Sequence, residues 1–272
     1  MSEKTLFIQI FQPFAQYRNS FTFYYAQTYP LPPKSTIIGM LQNAVGDWYG
    51  NNYGEEWWKL MVSVHGGFEN TFWNYQNLIK GKIEIKERNG KVVLYNQGLP
   101  LYGEGITSQR SPVYQQELFN GHLYIFIKGE ADLLTKIKEA LEKPARILYL
   151  GRSEDVIFIE NVEEIVPKEK VDEIKGDIKL TYPTYLSNEL PIINKKYPVY
   201  SIPIKVIFEN NRKPVKHKAE ITKETERKLE IQSVIYTGYE YSIILKEDAI
   251  ISAEFYEIGK KEIIIINKYG WL

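Results

Sequence analysis

The sequence predicts an α+β fold in two parts, a sheet carrying two helices followed by a smaller β-rich region. Three observations lead there. Apolar residues recur at helical spacing in two stretches, between Ile37 and Val45 and between Ala131 and Glu142. Elsewhere they stand in short alternating or β-branched runs bounded by turn residues. The order strand, helix, strands, strand, helix, strand suits a ferredoxin-like sheet with both helices on one face.

The first strand is Leu6-Phe7-Ile8-Gln9-Ile10-Phe11, and the loop after it, from Gln12 to Asn19, carries Gln16, Tyr17 and Arg18 in succession. Arg18 can grip a phosphate or stack on a base, with Tyr17 beside it; the plain reading is a solvated loop with one surface arginine. Next, Thr28-Tyr29-Pro30-Leu31-Pro32-Pro33 enters a helix as a stiff extended run, because each proline fixes φ. Ser35 or Thr36 offers a cap to the first free N–H groups, and Ile37, Ile38, Met40, Leu41, Ala44 and Val45 form the buried stripe. Free N–H groups at a positive dipole end attract phosphate, and Lys34, Ser35 and Thr36 add a charge and two hydroxyls. Most capped helices bind nothing, however, and the glycines of a Walker A loop are missing.

Residues 46–54 read as a turn, and residues 57–64 as a short helix followed by a strand. Lys82-Ile83-Glu84-Ile85-Lys86 and Lys91-Val92-Val93-Leu94-Tyr95, joined through Asn89-Gly90, form the clearest hairpin in the chain. From Asn96 to Asn120 the pattern loosens into Gly, Pro, Gln and Tyr. A loop of that length inside a compact domain is functional or disordered, and Gln109, Arg110, Tyr114, Gln115 and Gln116 can stack, hydrogen-bond and neutralise phosphate. A surface insertion without a ligand is the alternative. The strand His122-Leu123-Tyr124-Ile125-Phe126-Ile127 follows, then the second helix, with Leu133, Leu134, Ile137 and Leu141 on one face and Pro144 beyond its end. Strands at 147–150 and 156–159 flank Gly151-Arg152-Ser153-Glu154-Asp155. Arg152 has two readings, a latch to Glu154 or Asp155, which is favoured, and a reach to RNA or a neighbouring subunit.

A charged linker begins at Pro167, and strands are expected at 178–182, 199–208, 233–237 and 263–266. Arg212, Lys213, Lys216, His217 and Lys218 cluster around Pro214, as a ligand-facing patch or a solvated hairpin turn. Thirty-four basic residues balance thirty-four acidic ones, which argues against a generic DNA-coating protein and leaves a short RNA in a local patch compatible. Twenty-one Tyr, twelve Phe and five Trp suit strands and also supply flat surfaces for bases. With no cysteine and three scattered histidines, His65, His122 and His217, disulfides and thiolate sites are excluded and a zinc enzyme is not expected. No signal-peptide pattern or run of about twenty apolar residues is present, so a cytoplasmic protein is expected.

The opening strand, Phe14-Ala15 with Arg18, the run from Tyr29 through Pro33, Lys34, Ser35, Thr36 and Gly39 to Leu41, and the later Tyr149-Leu150-Gly151-Arg152-Ser153-Glu154-Asp155 together resemble the CRISPR-associated RAMP proteins. The likeness is to the fifth Cas subunit of type I interference complexes, over residues 1 to about 160. It implies a ferredoxin-like, RRM-like RAMP domain over 1–165, with a protruding β-hairpin thumb at about 96–120 and a smaller β-rich domain over 166–272. By the same resemblance the chain is a non-catalytic antiviral-defence subunit that binds and caps the 5′ handle of the crRNA. Its partners would be that handle, the backbone RAMP subunit and the large subunit, with target DNA met indirectly and neither metal nor cofactor. The residues this assigns to RNA are Gln16, Tyr17, Arg18, Lys34, Ser35, Thr36, Gln109, Arg110, Tyr114 and Arg152, with Arg110 and Tyr114 foremost. Two alternatives remain open. One is a metal-independent endoribonuclease processing precursor crRNA, drawing on His122 or Lys216 and His217; the other is the equivalent RAMP subunit of a type III effector complex.

Overall fold

The computed structural model describes residues 3–272 except 23–24, 48–49, 51, 80–81, 89–90, 98–109, 145, 194–196, 211–212, 216–219, 223 and 239–241, with side chains described outside residues 3 and 77–111. Strand β1 (Glu3–Ala15) leads through a loop to α1 (Lys34–Val45) and the one-turn α2 (Glu56–Lys59). Then come β2 (Met61–Ile79), β3 (Lys82–Arg88), β4 (Lys91–Gln97), β5 (Arg110–Glu130), α3 (Ala131–Glu142) and β6 (Phe158–Ile165). The second half holds β7 (Glu169–Ile174), β8 (Asp177–Lys179), β9 (Tyr185–Ser187), β10 (Val199–Asn210), β11 (Lys213–Pro214), β12 (Glu226–Tyr236), β13 (Ser242–Ile244), β14 (Ile251–Ile258) and β15 (Lys261–Ile266).

The central sheet runs β2-β5-β1-β6, antiparallel at every pairing. Each helix carries the chain over one strand: α1 takes it from β1 across to β2, and α3 from β5 to β6. Strand alternation then sorts the side chains between two faces. Leu6, Ile8 and Ile10 join Val62, Val64, Leu123, Ile125 and Ile127 beneath Ile37, Ile38, Leu41, Leu134 and Ile137 of the helices. Each such fully buried aliphatic side chain contributes about 1.5–3 kcal/mol. Phe7 and Phe126 turn the other way and pack with Tyr256, Ile263 and Ile265 of β14 and β15. Tyr185, Ile202 and Val234 join the helix-side core, so both faces of the sheet are closed with residues from beyond 165.

Three local expectations are corrected. Helix α1 begins at Lys34 and neither hydroxyl caps it; Pro33, at φ −64° and ψ 155°, is the cap residue. Its carbonyl accepts from the Thr36 and Ile37 N–H groups at 3.0 and 3.2 Å, so proline's fixed φ sets the entry without a side-chain cap. The strand expected at 147–150 is reduced to one bridge, Tyr149 to Val156, because the chain folds straight back: the Leu150 N–H donates to Asp155 and the Ile157 N–H to Leu148. The loop expected over 96–120 contains the first half of β5, paired with β2 from Arg110–Ile79 to Phe119–Asn70. Its sequence reads as irregular because Leu118 is the one described residue of this stretch that joins a hydrophobic core, so the apolar period of an ordinary strand is missing.

Candidate nucleic-acid interface

Beyond the core, β2 and β5 continue as a two-stranded arm. At its root Gly121 lies against the Phe68 ring, and a Cβ there would fall 2.2 Å from a ring carbon, so the close approach requires glycine. Further out, rings replace aliphatic residues. Tyr75 and Tyr114 are cross-strand partners, about half exposed, and meet edge to face at 5.4 Å. One same-face rung closer to the core, about 7 Å away by strand geometry, Trp73 stands opposite Gln116 and meets Tyr25 edge to face at 6.1 Å. Tyr25 is placed by a strap lying along β5. The Ala26 N–H donates to the Tyr114 carbonyl at 3.0 Å, the Gln116 N–H to the Ala26 carbonyl at 2.8 Å, and the Thr28 N–H to Gln116 Oε1 at 3.1 Å. Nearby, Phe14 packs on Phe119 at 5.2 Å and edge-on to Phe72 at 6.4 Å. Exposed rings in edge-to-face pairs at strand spacing form a surface on which flat bases can stack.

Of the residues expected at RNA, Tyr114 stands on this surface. Arg18 is exposed in the loop after β1, its guanidinium donating to the Thr22 carbonyl at 3.0 Å and its backbone bridging to Thr28. Ser35 and Thr36 are half-buried in the first turn of α1. Arg110 opens β5 opposite Ile79, and Gln109 lies outside the described residues, as do Lys216, His217, Lys218 and Arg212.

Three of the side chains expected at RNA, Gln16, Tyr17 and Lys34, are buried and engaged within the protein. Gln16 donates to the carbonyls of Ala26 and Gln116, both at 3.0 Å, and so fastens the strap. The Tyr17 hydroxyl donates to Gln12 Oε1 at 2.5 Å under the Phe68 ring. Lys34 turns inward, donating to the carbonyls of Trp58 at 3.2 Å and Leu272 at 3.0 Å, and burial lowers its pKa to about 8.

Arg152 is held inside a carboxylate cluster. It pairs with Asp155 at 2.7 Å and Glu117 at 2.8 Å, and donates to Gln115 at 3.2 Å. Burial opposes its charge, but hydrogen bonds to Asp155 and Glu117 outweigh that and raise its pKa. Asp155 also accepts from the Gln16 N–H at 3.0 Å and the Arg152 N–H at 2.8 Å, which ties the 151–155 turn to both the loop and the arm. His122 is exposed on the sheet face, 5.3 Å from the Phe11 ring. His65 is buried, shares a 3.0 Å hydrogen bond with Ser63, and is driven by burial to a pKa of about 3. Among the described residues no group of three or more His, Asp or Glu side chains is arranged to hold a metal ion. None of their helices is long and apolar enough to cross a membrane.

Sequence reading passed over Tyr25, Trp73 and Tyr75. The signal for Trp73 and Tyr75 is their spacing by two around Asn74, which puts both rings on one face of a strand.

Comparison with protein families matches residues 5–184 to the family described as CRISPR-associated protein (Cas_Cas5). Among solved structures, the chain resembles a chain of a CRISPR RNA-guided surveillance complex, at 16% identity and TM-score 0.49, covering 89% of this chain and 90% of that one. It also resembles a structure described as a Cas protein, at 15% identity and TM-score 0.41, covering 90% and 96%. A third is a CRISPR protein from Archaeoglobus fulgidus, at 9% identity and TM-score 0.44, covering 97% and 98%. No curated protein matches. The family match spans well over half of the chain and defines a CRISPR-associated protein. Within that class the chain belongs to the Cas5 family.

Proposed function

We propose that this chain is the RNA-binding subunit that caps the 5′ handle of the crRNA in a type I CRISPR surveillance complex, acting by binding and not by cutting. The observation that carries the reading is the arm formed by β2 and β5, with Tyr25 against Trp73 and Tyr75 against Tyr114. Exposed rings on a projecting ladder have little to do in a core and suit splayed bases, each stack contributing about 1–3 kcal/mol. Membership of the Cas5 family supports the CRISPR setting. The order β6-β1-β5-β2 with two crossover helices supports reading this part as a ferredoxin-like, RRM-like domain with the arm as its thumb. Arg18 supplies a phosphate contact beside the rings. Overall neutrality means that the remaining electrostatic attraction comes from partners in the complex, the backbone RAMP subunit and the large subunit, so recognition rests on stacking and shape.

The test is to incubate the purified chain with the repeat RNA of its own locus, with and without EDTA, and to follow binding and cleavage together. Intact RNA bound by the wild type, with affinity reduced about tenfold or more by Trp73→Ala or Tyr114→Ala, supports the reading. Metal-independent cutting at one position, abolished by His122→Ala or His217→Ala, replaces it with an endoribonuclease.

A further inference from the structure

A cleft of about 350 Å³ lies over the outer side of α1, between the 149–151 turn and the β10–β12 ladder. Its size suits a small ligand or one unit of a larger one. Gly39 stands exposed in its floor at mid-helix, where glycine is the least favourable residue short of proline. Nothing in the fold asks for glycine there: its backbone is not left-handed, and an added Cβ would meet no atom within 4 Å. The missing side chain keeps the cleft open. Three residues on, Gln42 also lines the cleft and is almost wholly buried, yet its Nε2 has no hydrogen-bond partner.

The walls suit an anion joined to a flat ring. Phe208 and Arg227 are directly opposed across β10 and β12. The Arg227 side chain is exposed and makes no ion pair or hydrogen bond among the described residues. Ser35 and Thr36 bring hydroxyls at the first turn of α1, Tyr149 supplies a second ring, and no carboxylate stands among the described residues that line the cleft. The turn that carries Tyr149 is fastened by Arg152 to Gln115 and Glu117, on the face of the β2–β5 arm opposite Tyr114.

From this we infer that the cleft holds one nucleotide of the RNA, its phosphate against Ser35, Thr36 and Arg227 and its base on the rings of Tyr149 and Phe208. The inference rests on the RNA-binding reading and adds a site away from the arm.

The experiment measures affinity for the locus's repeat RNA by fluorescence anisotropy across a salt series, with melting temperature recorded for every variant. Gly39→Leu fills the cleft while giving α1 a better helix former, so Tm is expected to hold or rise while affinity falls about tenfold or more. Arg227→Gln is expected to lower the slope of log affinity against log salt by about one, the signature of one lost phosphate contact. RNA carrying 4-thiouridine is expected to cross-link to the peptides containing Tyr149 or Phe208. Should Gly39→Leu lower Tm, Gly39→Ala, whose methyl meets nothing, takes its place beside Arg227→Gln. Wild-type binding that is weakened by Tyr114→Ala but unchanged by Gly39→Leu and Arg227→Gln overturns this inference alone. No RNA binding by the wild type overturns both it and the proposed function.

Discussion

Asp155 shows how much one carboxylate can organise. It is 1% exposed and answers two backbone N–H groups and the Arg152 guanidinium at once. Gly151 makes this turn feasible: its φ is +116°, and a Cβ would lie 2.9 Å from the Gln16 carbonyl oxygen. Asp155→Ala leaves the partly buried Arg152 guanidinium with Glu117 alone of its two close carboxylates and deprives two backbone N–H groups of their acceptor, and urea unfolding is expected to show a loss of about 2–4 kcal/mol. His65 gives a prediction in pH. Burial lowers its folded-state pKa to about 3 from 6.5, so the unfolded chain binds the extra proton between those values and stability falls as pH drops through that window. His65→Gln is expected to remove roughly 2 kcal/mol of the stability difference between pH 7 and pH 4.5, read from paired urea titrations. At this scale the sequence misleads where a partner is remote. Lys34 looks like a phosphate ligand at a helix start, but its acceptors include the carbonyl of Leu272, 238 positions away. Arg152 allows two readings because Glu117, 35 positions back, is invisible to local pattern.

Among the elements, those stabilised by near neighbours in sequence are legible. The β3–β4 hairpin follows from alternation and an Asn-Gly turn, and α3 from its stripe of Leu133, Leu134, Ile137 and Leu141, all buried. The arm is not legible, because β2 and β5 find their register through the core rows Val62–Ile127 and Val64–Ile125 and carry it outward past the last buried residue. The root of the arm is the sensitive place. Gly121→Ala forces a methyl into the Phe68 ring and is expected to cost about 1–3 kcal/mol, with amide exchange faster at Phe119 and Asn70 than in the wild type. Out on the arm, Tyr75→Ala is expected to leave Tm within about 1 °C while weakening RNA, since an exposed side chain carries little of the fold.

Over the whole molecule, the C-terminal strands give the chain a closed sheet. An RRM-like face is a place where bases can stack, yet here Phe7 and Phe126 are fully buried beneath Tyr256, Ile263 and Ile265. Under the proposed function, RNA would then meet the rim, the arm and the outer side of α1. A chain ending at residue 165 would uncover that face and lose Tyr185, Ile202 and Val234 from the helix-side core. It is expected to bind ANS and to melt without a cooperative transition, read by fluorescence and near-ultraviolet circular dichroism. The arm, finally, is a lever rooted in the central sheet, with Asn120 at φ 55° where it leaves the core. Strand β5 runs from Arg110, beyond the rings, to Glu130 at the foot of α3, and it lies at the middle of the sheet for about half of that length. Whatever seats itself at the tip therefore pulls on the keel of the protein, and its arrival should be audible at the far end as a stiffening of the strands around Ile125 and Ile127.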